Sequence, residues 1–276
     1  LRITPNYTAY VKIAEGCDHR CAFCAIPLIR GSFRSRTMED IAAEVHELAE
    51  GGVREIVLIA QDSANYGLDR YKKPMLPTLL RELAKIEGIA WIRVLYSYPK
   101  YFTDELIDVF ATEPKVVKYI DLPLQHAHNA VLRSMNRPDT REGVEKLIKK
   151  LRERIPGVAI RSTFIVGFPG ETDAHYQALR SFVEEQRFDK VGIFTYSEEE
   201  DTPAAVMVHK VPEEVMQERY HDLMSLQSKI SEEINIGLEN HEVDVLIEGR
   251  DAEQQAIAVG RSYREAPEVD GQIYIE

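Results

Sequence analysis

The sequence predicts an α/β protein: a partial (β/α)6 TIM-like barrel followed by a small all-β segment. Short β-branched apolar runs alternate six times with segments of helical periodicity. The runs are almost continuously apolar, which is typical of parallel strands covered by helices on their outer face. Six units are fewer than the eight of a closed barrel, so we expect an open barrel, with a doubly wound sheet as the alternative.

The predicted strands and helices follow one another in strict alternation. The strands are expected at residues 10–14, 55–60, 91–95, 117–122, 159–167 and 191–196. The helices are expected at residues 38–50, 76–86, 103–111, 141–154, 173–185 and 213–233. The first helix has Thr37 as its N-cap and Gly51 as its stop. In either architecture, functional residues belong at the carboxyl ends of the strands.

The last forty residues differ from the rest in charge and pattern. From residue 237 onward, ten acidic residues face three arginines and no lysine, which gives a net charge of −7. Short strand patterns lie at residues 243–247, 256–259 and 271–275. We therefore predict two domains, a core at residues 1–236 and a small β domain at residues 237–276.

Composition excludes several classes of protein. The 276 residues are 44% hydrophobic and 29% charged, as in ordinary globular proteins. No apolar run reaches the ~18 residues of a membrane helix, and residues 1–5 lack both an initiator Met and a signal-peptide pattern. We expect a part of a longer intracellular protein. The net charge of −12 argues against a broad non-specific grip on nucleic acid.

All three cysteines lie within eight consecutive residues. Cys17, Cys21 and Cys24 have the spacing C-x3-C-x2-C directly after the first predicted strand. An odd number of crowded thiols indicates a metal site in a reducing compartment, hence the cytoplasm, rather than a disulfide framework. A four-iron cluster normally takes four thiolates, so three leave one iron open for the amino and carboxylate groups of S-adenosylmethionine. A Cys3His zinc site, with His19 or a distant histidine as fourth ligand, is the alternative.

The cysteine segment and several later motifs resemble one enzyme family, the methylthiotransferase branch of the radical S-adenosylmethionine (SAM) superfamily. The resemblance covers essentially the whole chain, and the tail resembles a truncated TRAM domain. The motifs are Gly16-Cys17 to Pro27, Arg30-Gly31, Ser35-Arg36, Gln61-Asp62, Leu122 to His126, Met135-Asn136-Arg137 and Phe164 to Thr172. The resemblance implies a radical SAM barrel fold, a 4Fe-4S cluster and bound S-adenosylmethionine.

The family contains enzymes for two substrate classes, adenosine derivatives of transfer RNA and an aspartate of ribosomal protein S-twelve. Transfer-RNA enzymes usually carry Gln-Ser-Gly-Ser where this chain has Gln125-His126-Ala127-His128, and the version here resembles the ribosomal-protein enzymes. The acidic tail favours the same choice, because phosphates require Lys and Arg whereas a basic protein suits an acidic partner. We expect the protein substrate, and a transfer-RNA methylthiotransferase remains the alternative.

The resemblance also suggests which residues contact the cofactor. Phe23 precedes the last cysteine, and Gln61 ends the second strand, where superfamily members meet the methionine amino group. Gln125 follows the fourth strand, with a buried amide that satisfies backbone groups as the alternative. Arg161 and Thr163 lie in the fifth strand. An arginine inside an apolar strand needs a partner, either the cofactor carboxylate or a carboxylate of the barrel wall.

Other polar residues allow two interpretations each. Gly167 begins a tight strand-to-helix turn that ends at the N-cap Thr172, and the family places adenine near the preceding strand. Asp62 fits either a cofactor contact or a polar turn. His126 is not assigned a catalytic role. Two sets of charged residues fit either a solvated surface or a substrate-binding role. They are the arginines at 30, 34 and 36 and the acidic run at 198–201.

The resemblance implies a mechanism with two roles for S-adenosylmethionine. One molecule yields a deoxyadenosyl radical that abstracts a β-hydrogen from the substrate aspartate, and another supplies the methyl group. A cellular electron donor and a monomeric enzyme are expected. Complete family members carry three more cysteines and a second 4Fe-4S cluster in an amino-terminal domain. Since those cysteines are absent here, we expect one cluster and cleavage of S-adenosylmethionine without completed sulfur insertion.

Overall fold

The computed structural model describes residues 5–276, so the prediction about the first residues of the chain lies largely outside the described part. The strands are β1 (Thr8–Lys12), β2 (Ala14–Glu15), β3 (Arg34–Ser35), β4 (Glu55–Ile59), β5 (Trp91–Val94), β6 (Tyr119–Gln125), β7 (Ala159–Val166), β8 (Lys190–Thr195), β9 (Leu246–Arg250), β10 (Ala258–Arg261) and β11 (Ile273–Ile275). The helices are α1 (Ile26–Arg30), α2 (Met38–Glu50), α3 (Leu68–Tyr71), α4 (Leu76–Ala84), α5 (Asp104–Thr112), α6 (Asn129–Ser134), α7 (Arg141–Arg154), α8 (Asp173–Gln186) and α9 (Glu213–Ile236).

Six parallel strands form an open barrel in sequential order. β1, β4 and β5 make one parallel sheet, and β6, β7 and β8 make another. A parallel bridge between Ile92 and Val116 joins the two sheets. Among residues 5–276, β1 and β8 do not pair, so the barrel stays open at that edge. The partial (β/α)6 barrel is therefore confirmed, and the doubly wound alternative is wrong because the strand order never reverses.

Four of the predicted helices begin directly after a threonine N-cap. Thr37, Thr103, Thr140 and Thr172 each accept a hydrogen bond from a backbone N–H in the first turn of the following helix. Such caps satisfy donors that would otherwise lack partners. The periodicity of the sequence missed α1, α3 and α6, which have only four to six residues. Helices this short bury too few side chains to leave a 3.6-residue signature.

The outer face of the barrel holds the main hydrophobic core. Ile56 and Leu58 of β4 point outward and pack with the helices, as do Ile120 and Leu122 of β6. The intervening residue Val57 points inward and belongs to a separate buried cluster. This period of two is the ordinary alternation of a strand, with both faces buried. The barrel therefore has an inner surface that something must cover.

The inner surface is covered by the C-terminal unit, residues 237–276. Its sheet has the antiparallel order β11-β10-β9. The first part of the connection between β10 and β11, residues 262–270, enters the barrel, where Ala266 packs with Val57, Leu95 and Tyr119. Residues 237–276 thus contact the core extensively, although α9 ends at Ile236, beside the predicted domain boundary. No helix in the described range, 5–276, is long and apolar enough to cross a membrane.

Candidate active site

A cavity of about 640 Å³ opens at the carboxyl ends of the barrel strands. All three cysteines line it, together with side chains that follow or end β4, β5, β6 and β8 and with Arg161 and Thr163 from within β7. The lining includes Cys17, His19, Cys21, Phe23, Cys24, Gln61, Tyr96, Tyr98, Gln125, Arg137, Arg161, Thr163, Phe194 and Val269. Five of the six cofactor contacts expected from the sequence are in this set: Phe23, Gln61, Gln125, Arg161 and Thr163.

The cysteine loop begins at a glycine that cannot be replaced without a clash. Gly16 has φ +80°, and a Cβ there would lie 2.3 Å from the backbone oxygen of Ser32. The next residue, Cys17, donates its N–H to the backbone oxygen of Gly31 at 3.1 Å. Cys24 donates its N–H to the oxygen of Cys21, also at 3.1 Å. Close backbone approach at Gly16 therefore holds the loop in a fixed shape against residues 31–32.

The three thiols are free and partly buried. Burial raises the pKa of Cys17 to about 11, and burial also raises the pKa of Cys21, partly offset by the charge and hydrogen bond of Arg137. No three His, Cys, Asp or Glu side chains within residues 5–276 are arranged to hold a single metal ion. The thiols are thus not a preformed mononuclear site. A cubane cluster does not require the three thiolates to converge on one metal ion, since each thiolate binds a separate iron at a separate corner.

His19 is paired with the carboxylate of Asp62. Its Nε2 lies 2.8 Å from Oδ2 of Asp62, and its ring stacks on Tyr98 with the centroids 4.0 Å apart. Asp62 is buried, and its other oxygen accepts the backbone N–H of Tyr98 at 3.2 Å. Asp62 therefore holds the cysteine loop through His19, which is neither of the two roles considered from the sequence. Zinc coordination through Nε2 of His19 would require this pair to separate.

Arg137 is a site residue to which sequence reasoning assigned no role. It is buried, its guanidinium carbon lies 4.1 Å from the ring centroid of Tyr98, and Nη2 donates to the backbone oxygen of Pro123 at 3.0 Å. Nη2 also lies 3.1 Å from Oδ2 of Asp139, and the guanidinium is near enough to Cys21 to act against the rise in its pKa. Nε is buried and has no hydrogen-bond partner among the described residues. The Met135-Asn136-Arg137 motif was the available signal, but nothing in its spacing indicated that α6 returns to the cysteines.

Arg161 has carboxylate partners from two parts of the chain. Its Nη1 donates to Oδ1 of Asp121 at 3.1 Å, and its Nε lies 3.6 Å from Oδ1 of Asp270. The ion pair with the barrel wall, one of the two alternatives, is therefore present. The side chain nevertheless lines the cavity, so a cofactor contact stays a prediction. Burial raises the pKa of Asp121, although Arg161 acts in the opposite direction.

Gln125 and Tyr96 end neighbouring strands with unusual backbone geometry. Gln125 has φ +71° and Tyr96 has φ +59°, both in the left-handed region that disfavours residues with a side chain. The backbone N–H of Tyr96 donates to Oδ2 of Asp121 at 2.9 Å. Such strain is retained where the surroundings enforce it, commonly at functional sites. Here both residues direct their segments toward the same cavity.

Gly167 does not line the cavity. It has φ +79°, and a Cβ built there would lie 2.2 Å from Cγ of Met216 on α9. Its N–H donates to Oε1 of Glu171 at 3.0 Å. The position therefore requires glycine for packing and backbone conformation. Its predicted contact with the cofactor stays a prediction that this geometry does not support.

The other polar motifs are engaged away from the cavity. His126 is buried, with its Nε2 3.2 Å from Oε2 of Glu171. Arg36 pairs with Asp40 and Glu44 on the surface, and Arg30 lies 3.6 Å from Glu15. Of the acidic run 198–201, its last member lines a neighbouring cavity of about 450 Å³ beside the cysteines.

Comparison with known families agrees with the site. Residues 11–183 match the model of the radical SAM superfamily, and residues 241–276 match the TRAM domain. The first match covers more than half of the chain and includes all three cysteines. The chain belongs to the radical SAM superfamily. The open six-stranded barrel and the small antiparallel sheet are the folds that these two matches lead one to expect.

Curated relatives extend over almost the entire chain. It is 54% identical over 270 residues to "Ribosomal protein uS12 methylthiotransferase RimO" of Desulforamulus reducens, covering 98% of the chain and 61% of the relative. It is 50% identical over 275 residues to the protein of the same name from Geobacter sulfurreducens, covering 100% of the chain and 62% of the relative. The chain thus spans about three fifths of the length of the relatives that it matches.

Solved structures share the fold at low sequence identity. Escherichia coli coproporphyrinogen III oxidase (HemN), titled a radical SAM enzyme, has a TM-score of 0.60 at 14% identity, covering 94% of this chain and 65% of that one. The radical SAM methyltransferase TsrM from Kitasatospora setae has a TM-score of 0.57 at 19% identity, covering 72% of this chain and 38% of that one. At these identities the likeness concerns the barrel alone.

The residues present fit an iron–sulfur cluster with S-adenosylmethionine beside it. Three thiols share one wall of a cavity that has ample volume for a nucleoside-sized ligand. Arg137 offers a buried N–H donor without a partner among residues 5–276, as needed by an anionic cluster or its ligand. Gln61, Gln125 and Arg161 supply further polar groups on the opposing strands. The donor set and the cavity are therefore compatible with a cluster and S-adenosylmethionine.

Proposed function

We propose that this chain is the catalytic core of a radical SAM methylthiotransferase that adds a methylthio group to the β-carbon of an aspartate in ribosomal protein uS12. The observation that carries the proposal is the convergence of Cys17, Cys21 and Cys24 with Gln61 and Arg161 in one cavity. The choice of substrate is supported by the similarity to relatives named for modification of uS12.

The residues of the chain have distinct parts in this proposal. Cys17, Cys21 and Cys24 hold the cluster, while Asp62 and His19 keep the cysteine loop in place. Gln61, Gln125, Arg161 and Thr163 orient S-adenosylmethionine, and Phe23 shields the cluster. When bound, the reduced 4Fe-4S cluster supplies the electron for cleavage of S-adenosylmethionine, and a second S-adenosylmethionine supplies the methyl group. Hydrogen abstraction needs no acid–base pair, and none of the cavity residues is assigned that role.

The surface of the C-terminal unit supports a basic protein as substrate. Two of its three arginines, Arg261 and Arg264, are buried and paired with carboxylates. Residues 237–276 contain no lysine, and Arg250 is the only arginine among them that is exposed. The exposed acidic residues of the unit are Glu239, Glu242, Asp244, Glu253, Glu268 and Glu276. Such a surface repels phosphates and attracts a basic ribosomal protein.

Mass spectrometry of cells that lack the full-length gene tests the substrate. We expect uS12 to lose the mass of one methylthio group, and total transfer RNA to keep all of its methylthio nucleosides. Complementation with the wild-type gene should restore the modification, whereas a Cys21→Ser gene should not. Loss of methylthio groups from transfer RNA with uS12 unchanged would show that the RNA alternative is correct.

Four further expectations accompany the proposal. We expect the protein to be a cytoplasmic monomer and to receive electrons from a cellular donor. Size-exclusion chromatography with light scattering tests the oligomeric state. Anaerobic reconstitution of the chain should yield about four irons per molecule, because it holds one set of cluster cysteines. About eight irons, or complete methylthiolation by the chain alone, would contradict the expectation of a single cluster.

A further inference from the structure

The C-terminal unit reaches the candidate active site through residues 262–270, the first part of the connection between β10 and β11. Val269, near its end, lines the large cavity. Ala266 is fully buried against the inner face of the barrel. The backbone oxygen of Tyr263 accepts a hydrogen bond from Nη1 of Arg93 at 2.8 Å, deep in β5. A unit matched as a separate domain therefore forms part of the wall of the cavity.

Asp270 is the charged residue of this connection that contacts the cavity lining. Its side chain is 3% exposed, and Oδ1 lies 3.6 Å from Nε of Arg161. Oδ2 accepts hydrogen bonds from the Tyr119 hydroxyl and from the backbone N–H of Ala266, the latter at 2.9 Å. The two hydrogen bonds to Oδ2 therefore fix the carboxylate and leave Oδ1 directed at the guanidinium of Arg161.

Arg161 depends on Asp270 for its orientation. Asp121, its other partner, comes from the neighbouring strand and bonds to Nη1 only. With a single carboxylate, the guanidinium could rotate about that bond. A second carboxylate at Nε fixes the plane of the guanidinium, because the fork of an arginine is rigid. Fixing this plane before a ligand arrives lowers the entropy cost of binding.

We propose that Asp270 is a positioning residue: through Arg161, the docked C-terminal unit sets the affinity of the cavity for S-adenosylmethionine. The inference rests on the proposed function, since it takes S-adenosylmethionine as the ligand of the cavity. It gives the C-terminal unit a role inside the catalytic core in addition to its role at the surface. By linkage, bound S-adenosylmethionine stabilises the docked position of residues 262–270 to the same extent.

Binding of S-adenosylmethionine to the anaerobically reconstituted chain tests the inference. In Asp270→Asn, we expect the Kd to rise about tenfold to a hundredfold, the usual range for a partner that orients a ligand-binding group. Iron content and the spectrum of the reduced cluster without S-adenosylmethionine should stay at wild-type values. Asp244→Asn, an exposed carboxylate of the same unit, is the matched control and should bind like wild type.

A second control separates positioning from integrity of the connection. Glu265 accepts hydrogen bonds from the backbone N–H and hydroxyl of Ser262 at 3.0 and 2.6 Å and does not contact Arg161. Glu265→Gln should therefore loosen the connection with a much smaller change in Kd. If Asp270→Asn does not fold, Tyr119→Phe removes one support of Asp270 without a change of charge. It should raise the Kd in the same direction.

Hydrogen exchange supplies a readout other than affinity. S-adenosylmethionine should slow exchange of the amides in residues 262–270 in the wild type, and less so in Asp270→Asn. A wild-type Kd in both Asp270→Asn and Tyr119→Phe would overturn the inference while leaving the proposed function intact. A wild-type chain that carries its cluster and yet binds no S-adenosylmethionine would overturn both.

Discussion

Arg261 of the C-terminal unit and Glu55 of the barrel form an ion pair that is fully buried. Nη2 of Arg261 lies 2.5 Å from Oε2 of Glu55, and the two side chains are 1% and 0% exposed. Glu55 also accepts a hydrogen bond from Nε of Arg93 at 2.8 Å, and Arg261 also contacts Glu248. This network joins β4, β5 and β10, so the C-terminal unit contributes to the stability of the barrel.

Loss of Arg261 should destabilise the whole chain. Arg261→Met leaves Glu55 with only Arg93 and the Thr8 hydroxyl as partners, and it removes the contact of Arg261 with Glu248. Breaking a buried pair on one side costs about 3–5 kcal/mol, and the remaining bond to Arg93 places the expected loss near the lower end. Denaturant unfolding measures it. Arg250→Met, which removes an exposed arginine of the same unit, should change the free energy of unfolding by less than ~0.5 kcal/mol.

Acid stability should depend on Glu55. Burial by itself would raise the pKa of Glu55, but the charges of Arg93 and Arg261 outweigh it, and the pKa lies below its ordinary value of 4.5. A lowered folded-state pKa gives stability that is present above pH 4.5 and is lost as the pH falls through the folded value. Glu55→Gln should flatten the fall in unfolding free energy below pH 4.5. Glu87→Gln changes an exposed carboxylate and serves as the control. If the two variants show the same dependence of unfolding free energy on acid pH, the prediction is wrong.

Cluster binding should depend on each cysteine and not on His19. Cys17→Ser, Cys21→Ser and Cys24→Ser should each reduce the iron content of the reconstituted chain from about four to near zero, because three thiolates are the minimum set. His19→Asn removes the contact with Asp62 and should keep most of the iron. A chain that binds zinc instead, and loses it in His19→Asn, would show that the Cys3His alternative is correct.

Arg137 should raise the reduction potential of the cluster. Its positive charge acts against the rise in the pKa of Cys21, and its buried Nε has no hydrogen-bond partner among residues 5–276. A positive charge next to the cluster stabilises the reduced, more negative state, so Arg137→Met should lower the potential in an EPR-monitored titration. Arg20→Met removes an exposed guanidinium from the same loop and serves as control. Equal potentials in the two variants would show that Arg137 has a structural role only.

Gly167 should be sensitive for reasons of packing. In Gly167→Ala the new Cβ meets Met216, and the left-handed φ of +79° becomes unfavourable. We expect a loss of unfolding free energy of about 1–3 kcal/mol. Adding Met216→Ala removes the clash but not the backbone strain, so the double variant should recover part of the loss. An unchanged stability together with weaker binding of S-adenosylmethionine would instead support the cofactor contact predicted from the sequence.

Local patterns in the sequence were sufficient for the framework of the molecule. The six core strands, the threonine N-caps and the cysteine loop all follow from spacings of a few residues, which reflect the periods of strands, helices and turns. The same short spacing identified Cys17, Cys21 and Cys24. Because parallel strands end at one edge, the strand pattern also predicted that Gln61 and Gln125 lie near each other.

Contacts between distant parts of the chain were decided only by the tertiary structure. The sequence left the partner of Arg161 open, and the structure gives Asp121 and Asp270; it also brings Arg137 to Cys21. Tyr119 and Asp270 are 151 residues apart, a separation at which no local period carries information. The acidic tail was correctly expected to be a small β unit. The structure shows in addition that its buried arginines and its β10–β11 connection fill the open barrel. The inner face of the barrel strands must be covered by another part of the chain, and this unit covers it.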